Sequence, residues 1–410
     1  MAVNIIRKKP ESEIFTNDIK TENHVPQTKN EPIMNYNGFI RPQNDEKAVE
    51  KGDRCAQEIK SNIIGDFEKN DEYCKNNNCD NIDRMVHVST FKIIDGIIYM
   101  TYYANTGSDA EDPDYQEARL AFCPENNVKD MTIVTIQKVG DMLDGRKITK
   151  VYDTILMHTG GDKIYVMWTA ADEKQYYRFY CTFDIKTHTL SAIRPNRFKV
   201  NEITNDFSMS GIKSALSYYN IPHKSMFVDI GIMQKLSSRV ENGETYYYTG
   251  AYSGNMNCII KSKDLITWQY VSTPDFINLS LWENATYVIG DKCYYFVRQN
   301  ETGQGFLTCY DLVNGTWDKP FLIADTQSRS DFIYYKNELY LVHAPINRDG
   351  FGIIKVNRDD LSRSVPILVC NMKESCFYPF VRIYGDEMYI SYTVDRKHIR
   401  LSKFNFEKYL

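Results

Sequence analysis

A strand–turn–strand unit that recurs six times, tyrosine-rich strand patterns and little helical periodicity together predict an all-β chain. The expected fold is a β-propeller, six-bladed by this count, with five blades as the alternative. Each unit is an apolar strand, a short turn containing Gly, Asp or Asn, and a second strand ending in aromatics.

In chain order the units are VHVSTFKIIDGIIYMTYYA from Val86, DTILMHTGGDKIYVMWTA from Asp153 and GIMQKLSSRVENGETYYYTGAYS from Gly231. ENATYVIGDKCYYFVRQ from Glu283, RSDFIYYKNELYLVHAP from Arg329 and YPFVRIYGDEMYISYTV from Tyr378 complete the set. Asp95-Gly96 and Asn242-Gly243 are strong two-residue hairpin turns. Third and fourth strands follow several units, as in EARLAFCPE, YRFYCTFDI and GFLTCYDL. Short helices are expected near Glu46–Lys60 and at Ile212–Tyr219, the latter in an insertion between the second and third units. Residues 1–35 read as a loose N-terminal arm and 36–410 as one propeller domain. The sixth unit lacks a fourth strand, and residues 36–80 are expected to supply it and close the ring.

Composition narrows the function. A net charge of −5 without a basic block argues against nucleic acid as a partner. No stretch approaches the ~18 apolar residues of a membrane span. The opening MAVNIIRKKPESEIF holds too short an apolar run for a signal peptide. The ten cysteines fall largely within apolar strands and suit buried free thiols better than a disulfide framework. Cys74 and Cys79 form the only close pair, and they lack the neighbouring His of a zinc site. The expected setting is cytoplasmic, where the sequons at Asn278, Asn284, Asn300 and Asn314 carry no weight.

The segment SKDLITW, Ser262–Trp268, lies in the outer hairpin of the third unit, and LVNGTW at Leu312–Trp317 holds the equivalent place in the fourth. Ser and Asp side chains are suited to satisfy turn amides there while the indole packs inward, so the motif reads as structural. It also resembles the Ser-x-Asp-Leu-x-x-Trp turn of the propeller glycosidases of the five-bladed arabinanase and fructosidase type. The six-bladed sialidase-like branch carries a related Asp-box turn. The ending YISYTVDRKHIRLSKF is similar to the closing strands of sialidase-like proteins, and the resemblance spans roughly residues 84–410. It implies a fold and a broad carbohydrate-active class, and the site must be argued separately.

In a propeller the starts of the innermost strands face one shared pocket. Here those starts offer Arg84 and His87, Asp153, Gln234 and Lys235, Glu283 and Asn284, Arg329 and Asp331, and Tyr378. Glycoside cleavage needs two carboxyl groups, one donating a proton and one acting as base or nucleophile. Glu283 beside Trp282 is the expected general acid, its pKa raised by desolvation, and Asp153 the base or nucleophile. Asp331 is a third candidate, or else a support for Arg329. His87 reads either as a structural histidine or as a base toward a uronic acid. Arg84, Arg239 and Arg329 suit an acidic sugar. Sialidases use three arginines with a tyrosine nucleophile. GFIRP at Gly38–Pro42 is similar to their Phe-Arg-Ile-Pro motif with Arg and Ile exchanged, which would bring in Arg41 and, as nucleophile, Tyr378.

The expected function is therefore a glycoside hydrolase acting on short imported oligosaccharides through paired carboxylates. A relative acting on another sugar fits the exchanged motif better than a true sialidase. The alternatives are a uronic-acid lyase with His87 or Tyr378 as base, and a non-catalytic sugar-binding propeller. The expected partner is a small carbohydrate. No cofactor is called for, although the axis leaves room for a metal ion such as calcium, and the arm allows a homo-oligomer.

Overall fold

The computed structural model describes residues 5–17, 36–223, 230–253, 256–274, 281–299 and 303–410. Among these residues six large, mainly antiparallel sheets follow one another along the chain, three of them with a parallel strand toward the outer edge. The first is Met85–Ile94, Ile97–Asn105, Gln116–Pro124 and Thr132–Lys138, paired in that order. The second begins with Lys150–Met157, the third with the broken strand Gly231–Ile232 and Ser237–Glu241, and the fourth with Leu281–Ile289. The fifth and sixth begin with Gln327–Tyr335 and Phe377–Tyr384.

Six hydrophobic clusters join these sheets, each lying between one sheet and the next. Tyr99 and Leu120 of the first meet Trp168 and Phe179 of the second, whose Met157 and Met167 meet Cys258 and Trp268 of the third. Tyr248 meets Tyr295, Phe296 meets Leu341, and Val342 meets Ile390, carrying the contact on to the sixth sheet. Phe380 and Leu401 then pack on Phe91 and Met100 of the first. The ring is closed, and a closed ring buries both faces of every sheet, which explains why its strands are so uniformly apolar.

The closing strand is the one expected. Ile63–Asp66 pairs antiparallel with His398–Asn405 at the outer edge of the sixth sheet. The preceding helix, Glu46–Ser61, is capped by Asp45, whose carboxylate accepts from the Ala48 amide at 2.9 Å. It lies on the outer strand Val365–Asn371 so closely that a Cβ at Gly52 would fall 1.8 Å from the Val369 carbonyl oxygen. The helix thus covers the exposed edge of the fifth sheet. The second expected helix is Met209–Tyr218.

SKDLITW is a turn held by its own side chains. Ser262 Oγ accepts from the Leu265 amide at 2.9 Å, Asp264 Oδ1 accepts from the Thr267 amide at 2.8 Å, and Trp268 is fully buried.

Two expectations change. Over residues 5–17 the arm is anchored: Ile6–Arg7 pairs in parallel with Thr189–Leu190, Ile14 is buried, and the Thr16 amide donates to Asp206 at 3.0 Å. An apolar Ile-Phe pair inside a polar segment is the reason, since the Phe15 ring packs tilted against Tyr177 with centroids 5.0 Å apart. The rest of the arm lies outside the described residues. The ten cysteines are not all free: Cys74 and Cys79 are bridged, while the other eight are buried thiols. No helix among the described residues is long and apolar enough to cross a membrane.

Candidate active site

A β-bulge interrupts the start of most innermost strands. Register shifts fall at His87/Thr90, Tyr152/Ile155, Leu281/Asn284, Gln327/Asp331 and Phe377/Phe380. In the third sheet the strand breaks between Ile232 and Ser237. Left-handed backbone marks the same places: Val88 at φ +53°, Asp153 at +48°, Ser328 at +76° and Tyr378 at +53°. Such conformations are costly for residues with a Cβ. A bulge re-aims a side chain that the regular pleat would bury between sheets. Here Asp153, Glu283, Arg329 and Tyr378 all sit at bulges, and their side chains converge.

Tyr378 donates its hydroxyl to Glu283 Oε1 at 2.9 Å. Glu283 Oε2 lies 3.1 Å from Arg298 Nε, and Oε1 lies 3.9 Å from Arg329 Nη2. Arg329 reaches Asp153 Oδ1 at 2.6 Å, and its other nitrogen donates to Gln234 at 3.4 Å. Arg178 donates to Asp153 twice, to the carboxylate at 3.1 Å and to the main-chain oxygen at 2.8 Å. Three buried guanidinium groups thus surround two buried carboxylates, a cluster with one positive charge in excess that suits an anionic ligand.

Burial raises the Glu283 carboxyl, but the charges of Arg298 and Arg329 and the Tyr378 hydroxyl outweigh it and hold it below the ordinary carboxylate value. Tyr378 moves the opposite way. Burial and the Glu283 charge raise it, with Arg298, Arg329 and Arg348 pulling only partly back, so the phenol stays protonated. The pair is therefore a neutral phenol on a charged carboxylate.

This arrangement corrects the reading of Glu283 as a general acid with a raised pKa. The Trp282 side chain expected to desolvate it lies outside the described residues. Asp153 is clamped by two arginines, which suits an orienting role better than attack. Asp331 does not hold Arg329. It pairs with Lys235 at 3.0 Å, and Lys235 also donates to the Val381 carbonyl at 2.8 Å, so this pair ties the third, fifth and sixth sheets together.

His87 is buried behind Tyr378, with ring centroids 4.8 Å apart and Nδ1 3.2 Å from Thr393 Oγ1. Burial, then the charges of Arg396, Arg348 and Arg329, hold it neutral. It supports the tyrosine ring. Asn284 bridges the third and fourth sheets, donating to the Ala251 carbonyl at 3.0 Å and to Asn257 at 2.9 Å.

The other arginines expected in the pocket lie elsewhere. Arg84 is exposed and pairs with Asp109 at 2.9 Å. Arg239 pairs with Asp291 and Glu241 on an outlying hairpin, and Arg41 is exposed beside a short 3-10 turn.

Four arginines near the pocket lie away from strand starts. Arg298 ends a second strand and Arg178 lies in a third, each amid buried apolar residues. That was their signal, because a charge in a wholly buried strand must have a partner. Arg348 and Arg396 sit in loops, where a charged residue is unremarkable. Glu111 is likewise on a loop, accepting from the Tyr103 hydroxyl and pairing with Arg396 at 3.2 Å.

One group of three carboxylate and imidazole donors among the described residues lies close enough to share a cation. Asp66, Glu68 and His398 place their ligand atoms within 4.8 Å of one another. They belong to the closing edge of the sixth sheet, and Asp66 already pairs with Arg400 at 3.0 Å.

No protein-family model and no curated protein matches the chain. Solved structures do. A Trypanosoma rangeli sialidase mutant with trans-sialidase activity aligns at a TM-score of 0.51 and 11% identity, over 95% of this chain and 59% of its own. The Trypanosoma rangeli sialidase in complex with sialic acid gives 0.50 and 11%, over 97% and 59%. A Hadza microbial sialidase gives 0.50 and 10%, over 80% and 66%. The chain spans less than two thirds of the length of each of them. At this identity the likeness speaks for architecture, and the chain has the β-propeller fold of the sialidases.

Proposed function

We propose that this protein is a glycoside hydrolase acting on an acidic sugar, with Tyr378 as nucleophile and Glu283 as its base. The observation that carries this reading is the Tyr378–Glu283 hydrogen bond set among Arg298 and Arg329. A carboxylate nucleophile would be repelled by an anionic sugar held in a cationic pocket, whereas a neutral phenol is not. As the Tyr378 oxygen bonds to the anomeric carbon, its proton passes to Glu283 and the glycosidic C–O bond breaks. The leaving oxygen takes a proton from solvent water, because Glu111, the further carboxyl along the wall formed by Tyr103, His87 and Tyr378, is an ion-paired acceptor. A second water, its proton taken by the Glu111 carboxylate and passed back to solvent, then displaces Tyr378, which recovers its proton from Glu283. Atoms and charges balance, and the product is heavier by one water.

Arg329, held by Asp153 and Gln234, and Arg298 orient the acid group of the sugar. The setting remains that of a cytoplasmic enzyme on short imported oligosaccharides, supported by the eight buried thiols. The Cys74–Cys79 bridge is the observation that argues for an oxidising compartment instead.

The test is incubation of the protein with short oligosaccharides of uronic-acid, sialic-acid and neutral types, with products read by mass. Water-added products support hydrolysis. Products lighter by one water would move the assignment to elimination, and binding without product would leave a sugar-binding propeller.

A further inference from the structure

Arg348 and Arg396 occupy two loops of the same kind. Arg348 lies between the second and third strands of the fifth sheet, Glu338–Ala344 and Gly350–Val356. Arg396 lies between Glu387–Val394 and His398–Asn405 of the sixth. In an antiparallel meander these loops open on the face where the innermost strands begin, but further from the axis. The two residues therefore border the pocket rather than floor it. Both adopt left-handed backbone, Arg348 at φ +53° and Arg396 at +56°.

Their guanidinium groups share one aromatic ring. Arg348 Cζ lies 5.6 Å and Arg396 Cζ 5.4 Å from the centroid of Phe377, the residue that precedes Tyr378. Arg396 is paired with Glu111. Arg348 makes no ion pair and no side-chain hydrogen bond among the described residues, although it is half-buried. Burial presses it below the ordinary guanidinium value, Tyr378 and Glu283 pull it up, and Arg298 and Arg396 press it down again. Like charges packed this way, with no carboxylate for Arg348, are costly unless an anion joins them. The flat apolar face of Phe377 beneath them suits the body of a sugar ring.

We propose that Arg348 and Arg396, over Phe377, form a second anion subsite at the rim of the pocket, which binds a carboxylate or sulfate ester on the sugar next to the one cleaved. The substrate class is then an oligosaccharide acidic on two neighbouring residues, one acid group held by Arg298 and Arg329 and the other by the rim. The placement of the two sugars rests on the hydrolase reading above; the anion site itself does not.

The test is calorimetric titration of the full chain with trigalacturonic acid, a sulfated trisaccharide and neutral tri-N-acetylglucosamine. Wild type, Arg348→Gln, Arg348→Lys and Arg396→Gln are compared, with melting curves to confirm folding. The ratio of affinity for the better acidic probe to that for the neutral one is expected to fall about tenfold in Arg348→Gln. It should recover in part with Arg348→Lys, which keeps the charge but not the fork. Whichever acidic probe shows the larger Arg348 dependence identifies the anion as carboxylate or sulfate. An unchanged ratio in both Arg348→Gln and Arg396→Gln, or no binding of either acidic probe to wild type, overturns the subsite. Arg348-dependent binding without any product would keep the subsite and sink hydrolysis. Product formation with an unchanged ratio would do the reverse.

Discussion

Tyr378 and Glu283 stand 95 positions apart in the chain, on the sixth and fourth sheets, and meet at 2.9 Å. The fifth sheet lies between theirs in the ring, so only the pocket on the axis allows the contact. Removing the hydroxyl with Tyr378→Phe should lower turnover by about a thousandfold or more, because no other group can form the covalent bond. The melting temperature should change little, since the ring still packs against His87. Steady-state rates and melting curves on the same preparations check both halves.

Glu283→Gln should act differently, on stability as well as rate. It leaves Arg298 and Arg329 short of a buried counter-charge, at a cost of about 3–5 kcal/mol. The pH dependence has a definite sign. The native carboxyl titrates below its ordinary value of 4.5, so its stabilisation is complete above that pH and fades as pH falls through the depressed native value. Because the base form is the working form, the Glu283 limb of the activity profile should lie below pH 4.5. Denaturant melts and rate profiles across the acid range measure the two effects.

Glu68 should show the opposite trend. Burial, then the neighbouring Asp66 charge, push its carboxyl up from 4.5 to about 7, against the pull of His398. Stability owed to this group is present below 4.5 and lost as pH rises through about 7. Glu68→Gln should flatten that slope without touching the pocket, and denaturant midpoints at a series of pH values will show it.

Trp268→Ala should destabilise the protein by about 3–5 kcal/mol, since it empties a fully buried site between the second and third sheets. Sugar affinity per folded molecule should be unchanged, because the residue lies in the outer hairpin. A calorimetric unfolding scan paired with a binding isotherm separates the two.

Much of the wheel was legible because its signals are local. Asp95-Gly96 and Asn242-Gly243 do adopt the left-handed turn conformations their types favour, and the missing fourth strand of the sixth sheet pointed to residues 36–80. The pocket was legible only in part. A strand start is one residue long, and the bulge decides which of its neighbours faces the axis. Arg84 and Tyr378 both belong to strand starts, yet the chain sends Arg84 to solvent and Tyr378 to Glu283. The pairing that reverses the expected pKa shift of Glu283 comes from Arg298 on an adjacent strand and Arg329 on another sheet, and no spacing within one segment encodes it.

The central claim is a covalent bond to Tyr378. The most direct measurement is peptide mapping by mass after the protein reacts with fluorinated glycosyl fluorides of acidic sugars, uronic- and sialic-acid types together. The account predicts one glycosyl adduct on the peptide holding Tyr378, absent from Tyr378→Phe. An adduct on Glu283 or Asp153, or product formed by Tyr378→Phe at the wild-type rate, would contradict it.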